Sequence, residues 1–198
     1  MNKPPIDPSK FRNKYRIAST RMSGRDYAAT GRYFITICTK HRSHRFGEIR
    51  NGIIGLSNAG CIAWSCWEQI AIHYPWISLG AFIVMPNHVH GILCIGDRPE
   101  TVETPYYGVS TGNKLQKPHA HHEWKSGTVG CVIHQFKRAC TMKIRESGFD
   151  DFAWQPRFHD HIIRNNNAVA QITAYILTNP AKWERDRFFD NQIPRETP

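Results

Sequence analysis

Apolar and polar residues alternate along this chain with a period that switches between two and about 3.6, and the switches divide it into strands and helices. Tyr33, Phe34, Ile35, Thr36, Ile37, Cys38 and Thr39 are mostly β-branched or aromatic and predict a first strand. A polar loop over 41–45 follows, then Phe46-Gly47-Glu48-Ile49 and a turn at Asn51-Gly52. Ser57 is placed to cap a helix that runs to Tyr74 and stops at Pro75. Its Trp64, Trp67, Ile70, Ala71 and Tyr74 recur at helical spacing and predict the core-facing side. Two apolar runs, 77–84 and 88–95, flank the turn signal Pro86-Asn87 and predict a hairpin. All period is lost over 97–125, which reads as an inserted loop. Thr128 then caps a helix to about Glu146, with Val129, Val132, Ile133, Phe136, Cys140 and Ile144 as its apolar stripe. His134, Lys137, Arg138, Thr141 and Arg145 fall on the opposite side of that helix. An extended segment covers 152–164. Asn165-Asn166-Asn167 is a turn and cap, and a last helix runs from about Ala168 to Thr178 and ends at Asn179-Pro180, with Asn179 pushed out of the helical region by the proline. The order βαββαβ, with one more helix, predicts an α+β fold: a ferredoxin-like antiparallel sheet with helices packed on it. RNA-recognition modules share that layout, so the fold alone names no function.

Charge narrows the choice of partner. The chain carries +10 at neutral pH over 198 residues. Residues 1–50 hold 12 Lys and Arg against 3 Asp and Glu, and no Lys or Arg occurs between Asn51 and Asp97. The excess is therefore a basic N-terminal arm, 1–30, leading into a domain over 31–190. Such an arm suits a phosphate backbone, through counterion release. An anionic membrane surface, or solubility alone, would produce the same bias. Tyr15, Tyr27 and Tyr33 among the arginines favour nucleic acid, because bases stack on them. Arg16, Arg21, Arg25 and Arg32, with Lys137 and Arg138 of the basic helix, are the candidate DNA contacts. An ordinary solvated helix face remains the other reading for the last two. No apolar run approaches the roughly 20 residues of a membrane helix, and the first residues lack the apolar stretch of a signal peptide. A cytoplasmic protein without a membrane role is expected. Its six cysteines, at 38, 61, 66, 94, 131 and 140, are then expected to be reduced and buried as small hydrophobes.

The candidate chemistry lies in histidines and one tyrosine. Side chains alternate along a strand, so His88 and His90 face one way while Val89 packs the other way. Two imidazoles side by side suit a divalent cation, although two surface histidines on a hairpin give the same spacing. A second pair, His159 and His161, is separated by the charged Asp160 and ranks lower. His119, His121 and His122 in the loop form a third cluster, either a second metal site or a solvated stretch. On the last helix Gln171, Tyr175 and Asn179 follow at i+4 steps and share a face. They form a polar stripe beside the histidine hairpin, or else a tyrosine packed on Ile172 and Ile176.

Met85-Pro86-Asn87-His88-Val89-His90-Gly91 closely resembles the HUH motif of single-tyrosine transposases, in which U is a bulky hydrophobe. Ser19 to Tyr27, Gly31 to Thr39, Gln135-Phe136-Lys137-Arg138-Ala139, Trp154-Gln155 through His161, and Tyr175-Ile176 with Asn179-Pro180 resemble successive parts of the REP-associated tyrosine transposase group. The resemblance spans Ser19 to Trp183 and omits the 97–125 loop. It implies the HUH nuclease fold, Tyr175 as nucleophile, and His88 and His90 as ligands of Mg²⁺ or Mn²⁺. Many relatives place a glutamine ligand four residues after the tyrosine; here Asn179 holds that place. It implies an enzyme of DNA transposition and recombination that binds single-stranded or hairpin DNA from palindromic REP elements. Such an enzyme cleaves and rejoins the strand through a 5′-phosphotyrosine, leaving a free 3′-hydroxyl. A domesticated, non-catalytic DNA-binding protein of the same fold, and a hydrolase using water, are the alternatives. Monomer and homodimer are both compatible with the sequence.

Overall fold

In the computed structural model the central strand is β1 (Gly31–Cys38), which pairs antiparallel on one side with β5 (His88–Ile95) and on the other with β6 (His159–Ile163). The structure describes residues 29–97, 128–186, 188 and 189. β4 (Ile77–Met85) completes the sheet in the order β4-β5-β1-β6. With α1 (Asn58–His73), α2 (Val129–Glu146) and α3 (Asn166–Thr178), this is the expected ferredoxin-like order. The 1–30 arm up to residue 28, with Arg16, Arg21 and Arg25, lies outside the described residues. So does nearly all of the 97–125 loop, with its tyrosines and His119, His121 and His122. No helix among the described residues is long and apolar enough to cross a membrane.

Each sheet face has its own core. Tyr33, Ile35, Ile37, Val89 and Leu93 meet Trp67 and Ile70 of α1 and Val132, Ile133 and Phe136 of α2. Residues of the other parity, Cys38, Ile92 and Ile163, meet Ile176 of α3 together with Trp183 and Phe188. Helix ends form where the capping residues were read. Ser57 Oγ accepts from Gly60 N at 3.1 Å, Thr128 Oγ1 from Cys131 N at 3.2 Å, and Asn165 Oδ1 from Ala168 N at 2.8 Å.

Four local expectations need correction. Trp64 is 36% exposed, because the buried stripe of α1 runs through Ala63, Cys66, Trp67 and Ile70 and leaves Trp64 at its edge, with its ring on Phe82. Residues after the Asn51-Gly52 turn form a strand, so β2 (Gly47–Arg50) and β3 (Ile53–Leu56) make a small hairpin. Both turn residues have positive φ, which suits a two-residue hairpin loop, but Ile53 faces solvent and spoils the alternation that would have revealed β3. Cys61 is exposed, and Cys94 and Cys131 are only half-buried, while none of the six cysteines is in a disulfide. Asn179 keeps helical angles, φ −57° and ψ −44°, despite the proline after it. The chain tightens there into a 3-10 helix over Pro180–Arg185, and proline fits the first position of such a turn because its missing N–H has no partner to lose.

Gly91 has a packing reason. A Cβ there would sit 2.2 Å from Cζ2 of Trp67, whose indole is fully buried between α2 and the sheet. We expect Gly91→Ala to lower stability by about 1–3 kcal/mol, the usual effect of overpacking. A urea titration that leaves the midpoint unchanged would mean that Trp67 moves freely.

Candidate active site

The period-two pattern of β5 sends Val89 into the α1/α2 core and turns His88 and His90 to the α3 face, both fully buried. Their rings lie 4.4 Å apart, centroid to centroid. Hydrogen bonds hold each ring by Nδ1. His88 Nδ1 lies 2.8 Å from Asn87 Oδ1, and His90 Nδ1 lies 2.9 Å from Thr36 Oγ1 on the neighbouring strand. The Asn87 amide is itself fixed, since Nδ2 donates to the carbonyls of Arg42 and Phe188 at 3.1 and 2.8 Å. Its oxygen must therefore face His88, which makes Nδ1 the proton-bearing nitrogen and leaves the lone pair on Nε2. Asn87, read from sequence only as a turn residue, thus sets the tautomer that a metal ligand requires.

Tyr175 projects from α3 onto this pair. Its hydroxyl is 3.3 Å from His90 Nε2 and 3.5 Å from Asp186 Oδ2, and the residue is 39% exposed. Phe34 of β1 stands edge-on to the tyrosine ring, with centroids 6.0 Å apart at 88°, and 5.2 Å from the His90 ring. The phenol is therefore held by aromatic packing behind it and is open to solvent in front.

Asp186 is the residue that sequence reading missed. The 3-10 helix after α3 turns the chain back across the sheet, and Asp186 follows it, held by an Oδ1 bond from Phe188 N at 2.7 Å. His88, His90 and Asp186 each offer a ligand atom, and these atoms lie within 4.8 Å of one another. Phe188 packs its ring 4.6 Å from that of His88, and Trp183 lies 5.9 Å from it, so that side of the pair is dry. Asn179 lies one turn beyond Tyr175, 2% exposed, and neither polar atom of its side chain has a hydrogen-bond partner among the described residues. A buried amide left in that state costs free energy unless a ligand meets it. Two imidazoles, a carboxylate and an unsatisfied amide fit a divalent cation that takes mixed nitrogen and oxygen ligands.

The candidate DNA contacts are dispersed. Arg32 Nη1 donates to Asn166 Oδ1 at 2.8 Å, which places it at the start of α3, on the Tyr175 side of the sheet. Lys137 and Arg138 belong to α2, on the opposite side. Lys137 Nζ is bound to the carbonyls of Gln155 and Arg157 at 2.7 and 2.9 Å, and burial lowers its pKa below the usual lysine value. Arg145 likewise donates to the Phe152 carbonyl. The polar side of α2 is thus partly a set of anchors for the chain leading to β6. Gln171 is exposed, and His159 and His161 are exposed on β6.

No protein-family model matches the chain. An uncharacterised protein of Haemophilus influenzae is 32% identical over 86% of this chain and 92% of its own length. A protein from the same organism named as a REP-associated tyrosine transposase is 24% identical over 80% of this chain and 74% of its own length. Among solved structures, a REP-associated tyrosine transposase bound to a REP hairpin shares the fold with a TM-score of 0.52, at 19% identity, over 82% of this chain and 74% of that one. The fold and the aligned length agree: the chain has the fold of a REP-associated tyrosine transposase and is similar in sequence to a protein named as one.

Proposed function

We propose that this protein is a DNA strand-transfer enzyme that binds hairpin single-stranded DNA and cleaves and rejoins it through Tyr175. The observation that carries this reading is the placement of a solvent-open phenol beside two fixed imidazoles and a carboxylate. Tyr175 Oη attacks the phosphorus, its bond to phosphorus forms as the bond to the 3′ oxygen breaks, and a 5′-phosphotyrosine and a 3′-hydroxyl result. The phenolic proton passes to Asp186, the carboxylate facing it, and the departing oxygen takes a proton from water. No water enters the phosphorus, so the reverse attack by a 3′-hydroxyl restores the strand. His88, His90 and Asp186, with Asn179, would hold Mg²⁺ or Mn²⁺. Such an ion supplies charge stabilisation to the phosphate oxygens, which matters for a phenol whose ordinary pKa is about 10. Arg32 and the basic stretch preceding Gly31 supply phosphate contacts.

The direct test is to incubate the protein with Mn²⁺ and a labelled single strand that carries the palindromic repeat nearest its gene. A denaturation-resistant DNA adduct is expected, and it should disappear as a free 3′-hydroxyl strand is supplied. Cleavage without an adduct would point to a water-using hydrolase, and tight binding without cleavage to a binding protein.

A further inference from the structure

The sheet register places the second His-x-His pair. His159 lies opposite Thr36 and His161 opposite Phe34, while across β1 Thr36 lies opposite His90 and Phe34 opposite Ile92. Directly opposed residues share a face, so both pairs look toward the same side with β1 between them. Two strand spacings separate His159 from His90, about 10 Å. Asp160, whose charge marked this pair as less orderly, points through the sheet the other way. Phe34 sits between Tyr175 and His161, half-buried.

The surroundings give this surface a direction. Beyond His88 the buried Phe188 and Trp183 close the site. α3 packs against β4, at the other edge of the sheet from β6. Among the described residues, the open direction from the Tyr175 hydroxyl therefore runs over Phe34 to β6, where both histidines are exposed. Lys137 fixes the approach to that strand through the Gln155 and Arg157 carbonyls, so the pair stands on an anchored edge.

Resting on the transfer reading above, we propose that Phe34, His159 and His161 form a track for the single-stranded DNA that continues past the phosphate at Tyr175. Phe34 offers a ring on which the adjoining base stacks, and the two imidazoles offer N–H donors to the next phosphate. These histidines would then serve the strand, while His88 and His90 serve the metal.

The test measures binding of the full chain, in metal-free buffer, to a labelled hairpin oligonucleotide with and without a single-stranded tail. The wild type should bind the tailed hairpin more tightly. The double variant His159→Ala, His161→Ala should lose about tenfold in affinity for the tailed form, as two hydrogen bonds imply, and little for the tailless hairpin. His159→Gln with His161→Gln should recover part of the loss, because an amide still donates. Equal losses on both probes, or a fall in Mn²⁺ affinity, would overturn the track. Wild-type protein that binds neither probe removes the proposed function itself; a double variant that holds the tail as tightly as wild type removes the track alone.

Discussion

Tyr175→Phe should abolish cleavage of single-stranded DNA and leave hairpin binding intact. The substitution removes one oxygen and keeps the ring that stands edge-on to Phe34. The hydroxyl lies 3.3 Å from His90 and 3.5 Å from Asp186, both long for hydrogen bonds, and the residue is 39% exposed, so the cost in stability should be about 1 kcal/mol. Loss of a covalent nucleophile should lower the cleavage rate by at least about a thousandfold. Peptide mapping of the wild-type adduct should find the nucleotide on the segment containing Tyr175. Tyr33, although it belongs to the resembling N-terminal segment, is fully buried on the other face of the sheet and has no path to a phosphate. An adduct on another tyrosine, or cleavage that survives in the variant, would take the nucleophile's role away from Tyr175. Equal DNA affinity in variant and wild type is the control that separates lost chemistry from lost binding.

The parts of this site that are written in local periodicity were readable, and the parts that depend on long-range register were not. His88 and His90 could be placed on one face because side chains on a strand alternate, and Val89 does pack into the opposite core. The caps at Ser57, Thr128 and Asn165 follow from side chains that reach only three residues along the chain. Asp186 carries no such signal. It follows Asn179 in a stretch without period, and it reaches the imidazoles only because the 3-10 helix reverses the chain there. Lys137 shows the converse error of scale. Helical spacing put it correctly on the side away from the apolar stripe, yet spacing could not show that the Gln155 and Arg157 carbonyls lie within its reach. The spacing of His159 and His161 carries no sign that they share a sheet face with His90, because that follows only from the pairing of β6 and β5 with β1. Asn87 looked like turn chemistry because its role passes through hydrogen bonds to Arg42 and Phe188, at sequence distances no pattern records.

Substituting the proposed metal ligands one at a time should separate Asp186 and Asn179 from His88. We expect His88→Ala to eliminate Mn²⁺ binding, followed by electron paramagnetic resonance, and to eliminate cleavage with it. That variant also leaves Asn87 Oδ1 without its ring partner in a buried place, so a stability loss of about 1–3 kcal/mol is expected alongside. Asp186→Asn avoids this ambiguity, because the amide oxygen can still accept from Phe188 N. It should weaken Mn²⁺ binding by at least about tenfold, the loss that outer-shell partners alone produce. Affinity equal to wild type would restrict Asp186 to receiving the phenolic proton. His159→Ala should bind Mn²⁺ as wild type does; the reverse ranking of His88 and His159 would exchange the roles of the two pairs. Asn179 has a second signature, in stability. Its buried amide, which has no partner among the described residues, should be relieved by Asn179→Leu in metal-free buffer, raising the melting temperature. Wild-type protein should gain more stability from added Mn²⁺ than this variant does, because only the native amide can complete the ligand set. If Mn²⁺ stabilises both equally, and Asn179→Ala needs no more metal for cleavage than wild type, Asn179 is the end of a helix and Asp186 alone joins the histidines.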